Sequence, residues 1–327
     1  MASSVCLVPL AAMPLAAWAS LRPDGAPSGE EAARIAALGW ILFIGAAAIF
    51  LAVLALTAVA LRGPARARRL LARPALVVAA GIAFPLLALT ALLAYVFGPA
   101  TRMAGGHGVP PAARIEISGE LWWWRVRYLD PAGQVDFETA NEIHIPVGQP
   151  VEFLLKSDNV IHSFWIPELA GKVDMIPGRV NRLRVLARTP GTLRGLCAEY
   201  CGAQHARMRF DVRATTPAQF EAWRQARRQP ARQAGPTLRR GEQLFRQACA
   251  QCHAVRGTPA MGTRGPDLTH VGSRASLAAG TLPNGAGALA GWIAGGQHIK
   301  PGNGMPAFDQ LPGEDLRALA SYLDHLK

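Results

Sequence analysis

The sequence predicts a multidomain membrane protein: a two-helix transmembrane hairpin, then an all-β Greek-key sandwich, then an all-α domain. Three observations predict it. Residues 39–61 and 74–98 contain no charged side chain, and each stretch exceeds the roughly 20 residues that span a bilayer. From 114 to 155, short runs alternate apolar and polar residues, the period of half-buried strands. Near the end, Leu316, Leu319, Ala320 and Leu323 recur at i, i+3, i+4 and i+7, which is one buried helix face. A chain of 327 residues has room for about two or three domains.

The first element is a leader. Residues 1–20 hold an apolar stretch from Val5 to Trp18 and end Ala17-Trp18-Ala19-Ser20, the form of a secretory signal cleaved after Ala19, although without a basic start. Cleavage would remove Cys6. An N-terminal segment and the hairpin follow over 21–98, with helices at about 35–61 and 74–98. The connection between them, from Arg62 to Arg73, is short and purely basic. The positive-inside rule places it in the cytoplasm, so everything after residue 98 lies on the periplasmic or extracellular side of a bacterial inner membrane.

The net charge of +12 suggests nucleic acid, but its distribution argues against it. There are 7 basic against 3 acidic residues up to 98, 14 against 12 from 99 to 219, and 13 against 7 from 220 onward. No soluble module concentrates the excess on one motif.

The β domain is expected at 99–223. Arg114-Ile-Glu-Ile-Ser, Trp124 to Tyr128, Val151 to Leu155 and Asn181 to Leu186 read as strands, broken at Asp130-Pro-Ala-Gly and Pro146-Val-Gly-Gln-Pro150. The pattern suggests an antiparallel unit. Five side chains with metal affinity or a polar oxygen crowd the stretch Cys197-Ala-Glu199-Tyr-Cys201-Gly-Ala-Gln-His205-Ala-Arg-Met208. Soft thiolates, an imidazole and a thioether select copper over hard cations. A mononuclear blue-copper site needs one thiolate, so two in one loop suggest more than one copper. His162 is the available second imidazole. A Cys197–Cys201 disulfide or a structural zinc are the plainer readings of the same residues.

The stretch Asn159 to Pro167, followed by Lys172-Val-Asp174-Met-Ile-Pro177-Gly178-Arg179, together with the cysteine loop, resembles subunit II of the haem-copper cytochrome c oxidases. The resemblance implies a cupredoxin-like sandwich with a dinuclear copper centre, CuA, bridged by Cys197 and Cys201. One copper would add His162 and Met208, the other His205 and the backbone carbonyl of Glu199. It places Trp122, first of three consecutive tryptophans, where electrons enter from a docked cytochrome, with Trp123 and Trp124 serving packing or a subunit contact. It further implies a magnesium ion held by the Glu199 carboxylate with subunit I. In one respect the chain departs from the family: no Asp or Glu occurs between Glu31 and Ile115, so an acidic residue that some members carry at a proton path is missing.

The C-terminal domain, 238–327, contains Cys249-Ala-Gln-Cys252-His253, a site for covalent haem attachment with His253 on the iron. Met305, in Gly-Met305-Pro306, is the expected sixth ligand, with Met261 as runner-up. His270, His298 and His325 are expected at the surface. Helices from Leu238 and from Pro312, with Gly241 allowing close approach of Phe245 and Tyr322, make this region similar to class I cytochrome c. Gly265-Pro266 should present a carbonyl to His253. Residues 224–237, rich in Arg, Gln, Ala and Pro, form a linker.

The resemblance as a whole implies a subunit of a proton-translocating cytochrome c oxidase, partnered with subunits I and III. It would take electrons from a cytochrome c-type donor through haem c and pass them by CuA to haem in subunit I. The alternatives are the CuA subunit of a nitric oxide reductase and a copper-binding assembly protein, the latter disfavoured by the haem motif.

Overall fold

The computed structural model describes residues 26–103 and 109–327; the leader at 1–20 and Cys6 lie outside them. Arg34–Pro110 forms one compact unit, and the rest of the described chain forms another. In the first, α1 (Glu30–Arg62) is followed by α2 (Ala65–Leu71), which carries Arg66, Arg68 and Arg69. Next come α3 (Pro74–Val78), a π-helical turn at Ala79–Ala83, and α4 (Phe84–Met103). The wider turn immediately precedes Pro85, whose missing N–H and bulky ring oppose a regular i to i−4 bond. Among the described residues, Glu30–Arg62 and Pro74–Phe97 are the two helical runs long and apolar enough to cross a membrane, with mean hydropathy of 2.7 and 2.5.

Residues just before and at the start of α1 belong to the other unit. The Ser28 and Gly29 amides both donate to the Glu168 carbonyl at 2.8 Å, Ala32 N donates to Leu169 O at 3.2 Å, and Arg188 N donates back to Ser28 O at 2.7 Å. A Cβ at Gly29 would meet the Leu169 carbonyl oxygen at 2.2 Å, so only glycine allows this approach.

The β domain is a sandwich of two five-stranded sheets. One runs β3 (Val135–Ala140), β2 (Trp123–Leu129), β1 (Ala113–Glu120), β5 (Pro150–Ser157), β8 (Asn181–Leu186). The other runs β4 (Glu142–Pro146), β10 (Arg209–Thr215), β9 (Gly191–Cys197), β6 (His162–Trp165), β7 (Val173–Met175). The expectation of a purely antiparallel unit needs correcting: β1 pairs in parallel with β5, and β10 with β4. The chain leaves the first sheet for β4 and returns at β5, so β5 reaches the neighbour of β1 through a crossover rather than a hairpin. Side-chain alternation has the same period in both cases and could not separate them.

Alternation does place the core. Ile115, Ile117, Trp124, Val126, Phe153 and Leu155 point inward and are inaccessible, each contributing about 1.5–3 kcal/mol by burial. Trp124 packs edge-on against Phe164 and Phe210, with centroids 5.8 and 5.1 Å away. Phe210 lies over Gly195 of the facing strand, where a Cβ would come within 1.9 Å of the ring. This aromatic block anchors β9 and β10, between which the cysteine loop hangs.

α5 (Pro217–Arg228) starts with Pro217 after a Thr216–Gln219 capping box and runs past the expected boundary at 223. Its continuation is pinned to the helical domain: Ala231 N donates to Arg256 O at 2.9 Å, and Arg256 Nη2 donates to Arg227 O at 2.7 Å. This segment also overturns the surface assignment of His270, which is buried with its Nε2 at 3.1 Å from Gln229 O. The linker covers it, a contact that local sequence around residue 270 does not announce.

The helical domain is built on α6 (Arg239–Ala248), α7 (Ala286–Ile299) and α8 (Gly313–His325), with a two-residue ribbon of β11 (Ser276–Leu277) and β12 (Leu282–Pro283). α6 crosses α8 at Gly241, where a Cβ would meet Ala318 O at 2.1 Å. Phe245 and Tyr322 pack beside the crossing with centroids 5.6 Å apart. Leu319, Ala320 and Leu323 are buried as their spacing implies, and Leu316 is half-buried.

Candidate metal centre and haem cavity

β9 ends on Cys197 and β10 begins after Met208, and a hydrogen bond from Cys197 N to Met208 O at 3.0 Å closes the loop between them. β6, next to β9, brings in His162. Cys197 Sγ lies 3.7 Å from Cys201 Sγ, 3.7 Å from His162 Nδ1 and 3.2 Å from Glu199 O. Cys201 Sγ lies 3.7 Å from His205 Nδ1 and 3.8 Å from Met208 Sδ. The four other sequence-predicted donors therefore surround the pair of cysteine sulfurs. The cysteines are not bonded to one another, and the donor set exceeds the four of a structural zinc site.

At neutral pH the two sulfurs share one proton. The hydrogen bond with Cys201 holds the Cys197 thiol down to about 3, and that same bond, with burial, pushes Cys201 far above its ordinary value. The metal-free loop thus keeps a proton on sulfur at neutral pH, while metal binding requires thiolates. Copper uptake by metal-free protein should release at least one proton per site, read with an indicator dye in weak buffer; uptake without release would contradict the pair's assignment as bridging thiolates.

Around the ligands, His162 Nε2 sits 3.1 Å from Asn159 Oδ1, which orients the ring with Nδ1 toward sulfur. The Glu199 side chain is half-buried in the loop.

The haem motif opens on a cavity of about 570 Å³ lined by Cys249, Cys252, His253 and Met305 together with Phe245, Leu289, Ile293 and Leu323. That volume and apolar wall suit a cofactor-sized ligand. His253 Nδ1 donates to Pro266 O at 2.8 Å, as expected, and burial holds the ring's pKa below its ordinary value, in the neutral form that ligates. Burial also pushes the Cys249 thiol up to about 11. Arg274, half-buried, lines the cavity with its Nε inaccessible and unpartnered among the described residues, a donor suited to an acidic group of the cofactor. Met261 is 80% exposed and outside the cavity lining, leaving Met305 as the thioether in place. A Cβ at Gly265 would come 2.5 Å from His253 Cε1 and 2.8 Å from Nδ1. Gly265→Ala should push the imidazole off its axis and convert the haem spectrum from six- to five-coordinate while covalent haem is retained; an unchanged spectrum would count against His253 as the ligand.

The two sites meet. Glu120, Trp122, Trp123, Asn141 and Asn159 of the β domain complete the wall of the haem cavity. Trp122 Nε1 donates to Cys201 O at 2.9 Å, and its ring lies within 3.2 Å of a Cβ built on Gly202 and 3.6 Å of one on Gly302. Trp124, by contrast, is core, and Trp123 stacks under the Arg125 guanidinium at 4.7 Å. Further bonds join the domains: Arg125 Nη2 to Thr263 O at 2.9 Å, Ala275 N to Glu142 Oε2 at 2.8 Å, and Gln204 Nε2 to Pro301 O at 2.8 Å. Lys300, 2% exposed, donates from Nζ to Trp122 O at 2.7 Å, Arg207 O at 2.7 Å and Ala278 O at 3.2 Å. Burial pulls its ammonium down to about 7 against the attraction of Cys201. Sequence reasoning passed over Lys300, Arg274 and Asn141, which stand in no motif; Asn159 opens the stretch that carries His162, and its contact with that ring was the one available signal.

Two parts of the chain match known families. Residues 122–215 match the family described as cytochrome c oxidase subunit II, periplasmic domain, and residues 238–327 match cytochrome c. Cytochrome c oxidase subunit 2 of Alkalihalophilus pseudofirmus is 38% identical over 216 residues, covering 65% of this chain and 61% of that protein. The subunit 2 of Bacillus sp. (strain PS3) is 32% identical over 226 residues, covering 65% and 62%. That of Bacillus subtilis is 31% identical over 234 residues, covering 68% and 64%. The chain thus spans somewhat under two thirds of the length of the curated relatives it matches.

Proposed function

We propose that this chain, whose residues 122–215 match a cytochrome c oxidase subunit II periplasmic domain and whose residues 238–327 match cytochrome c, is the subunit through which electrons reach a terminal respiratory oxidase. Electrons come from a cytochrome c-type donor to haem c, go on to dinuclear copper, and end at haem in subunit I, where oxygen is reduced to water with proton translocation. The observation that carries the reading is the shared wall: Trp122 bonds to the copper loop through Cys201 O and lines the haem cavity with the same side chain.

When bound, copper and haem iron each supply a one-electron couple. The chain's residues do the rest. Cys197 and Cys201, from the loop closed between β9 and β10, would hold the copper, with His162, His205, Met208 and the Glu199 carbonyl as the further ligands. Cys249 and Cys252 would tether the porphyrin and His253 and Met305 would ligate its iron; an imidazole and thioether pair favours electron transfer over oxygen binding. Anchoring on the two packed sheets limits ligand movement and hence the cost of changing oxidation state. Trp122, Trp123 and Asn159 line the wall between the two sites. The Glu199 carboxylate is assigned to a magnesium ion shared with subunit I, since carboxylate oxygen suits that cation. The two apolar helices anchor the subunit beside subunits I and III, with both cofactor domains outside the bacterial inner membrane.

Rapid mixing of the purified oxidase with a reduced c-type cytochrome tests the order. Haem c should be reduced first and copper second, with oxygen consumption following. Copper reduced at an undiminished rate in a Cys249→Ser/Cys252→Ser variant lacking haem c would contradict it.

A further inference from the structure

Resting on that reading, we propose that Lys300 is a positioning residue for the electron transfer, supplied by the haem domain. Its ammonium clamps the backbone on either side of the copper loop and favours the reduced state of the copper centre.

Three features of the structure support this. First, the three N–H groups of an ammonium meet three carbonyls, those of Trp122, Arg207 and Ala278. Two of these belong to the β domain and one to the helical domain, so the side chain ties the domains together at the point where their sites meet. Second, the Arg207 carbonyl lies in the ligand loop between His205 and Met208, and the grip on that loop is reciprocal. Arg207 Nη1 donates to Ile299 O, and Gln204 Nε2 donates to Pro301 O at 2.8 Å. Ile299–Pro301 is therefore a strap across the copper loop, with Lys300 at its centre. Third, the cation is buried, and among the described residues no carboxylate is paired with it. In its protonated form the ammonium acts from a water-poor interior on nearby charges with little screening, and Cys201 is the partner whose attraction opposes the loss of its proton. A centre that gains negative charge on reduction is stabilised by such a neighbour in its reduced form. Docking of the haem domain and a raised electron affinity at copper thereby become one event.

Two variants separate charge from bonding. Lys300→Met keeps the length of the stem and removes both charge and donors; Lys300→Gln keeps donors without charge. Each is prepared as the full chain, and its copper and covalent haem are counted. The equilibrium distribution of one electron between haem and copper is then measured by optical redox titration. Both variants should shift it about tenfold toward haem, which for one electron is about 59 mV. Lys300→Met should in addition raise hydrogen exchange in residues 204–208 of the copper-free chain. A wild-type distribution in Lys300→Gln overturns the proposal, whatever Lys300→Met does. Absence of copper or haem from the unaltered chain would instead overturn the parent reading.

Discussion

Cys197→Ser should leave the chain folded and its haem covalently attached while abolishing the two-copper site. Both sulfurs are within 3.7 Å of each other and each has its own imidazole neighbour. Removing one leaves a hydroxyl, a hard and weakly acidic donor, where a bridging thiolate is needed. Loss of a group that merely orients a ligand already costs about 10–100-fold in metal affinity; loss of a bridge should cost at least that and change the stoichiometry. Metal analysis should return one copper or none per haem, and electron flow to oxygen should stop. The buried side chain is small and the exchange nearly isosteric, so the sandwich core of Trp124, Phe164 and Phe210 should persist. A variant with two coppers per haem would remove Cys197 from the centre.

Trp122→Leu should have the next largest effect, and it should do so with every cofactor in place. The indole bonds to Cys201 O at 2.9 Å, lies over Gly202 and Gly302, and forms part of the haem cavity wall. Leucine keeps apolar bulk but breaks the bond and opens the gap between the domains. Displacements of about 1 Å in a reacting pair can cost about a hundredfold in rate, and a loss of that order in haem-to-copper transfer is expected by flash photolysis. Metal content and the two absorption spectra should stay as they are. A transfer rate within about twofold of the original would show that electrons bypass Trp122.

Residues close together in sequence made both sites legible. Cys197 to Met208 form a single loop, and Cys249 to His253 a single turn, so the chemistry could be read from spacing. His162 and Met305 lie farther away, yet each sits in a short recognisable context. The alternation at 114–155 similarly revealed strands, and the heptad-like spacing at 316–323 the last helix. What stayed hidden depends on contacts across long separations. Lys300 meets Trp122 across 178 positions, and Ala275 meets Glu142 across 133; neither pair has a local pattern. A lone lysine after an apolar helix reads as a solvated end, and here it is among the most buried polar groups. Parallel pairing of β1 with β5 escaped for a related reason, because register alternation carries no information on strand direction. His270 was misplaced because the segment that buries it comes from the linker.

Two sulfurs would unite a pair of coppers next to a haem that the same chain carries. Electron paramagnetic resonance of the purified full-length chain, combined with a copper and haem count, tests this most directly. The expected result is two coppers per covalent haem, with one unpaired electron whose hyperfine structure comes from two equivalent copper nuclei. A single copper with hyperfine structure from one nucleus, or zinc in the loop, would contradict it.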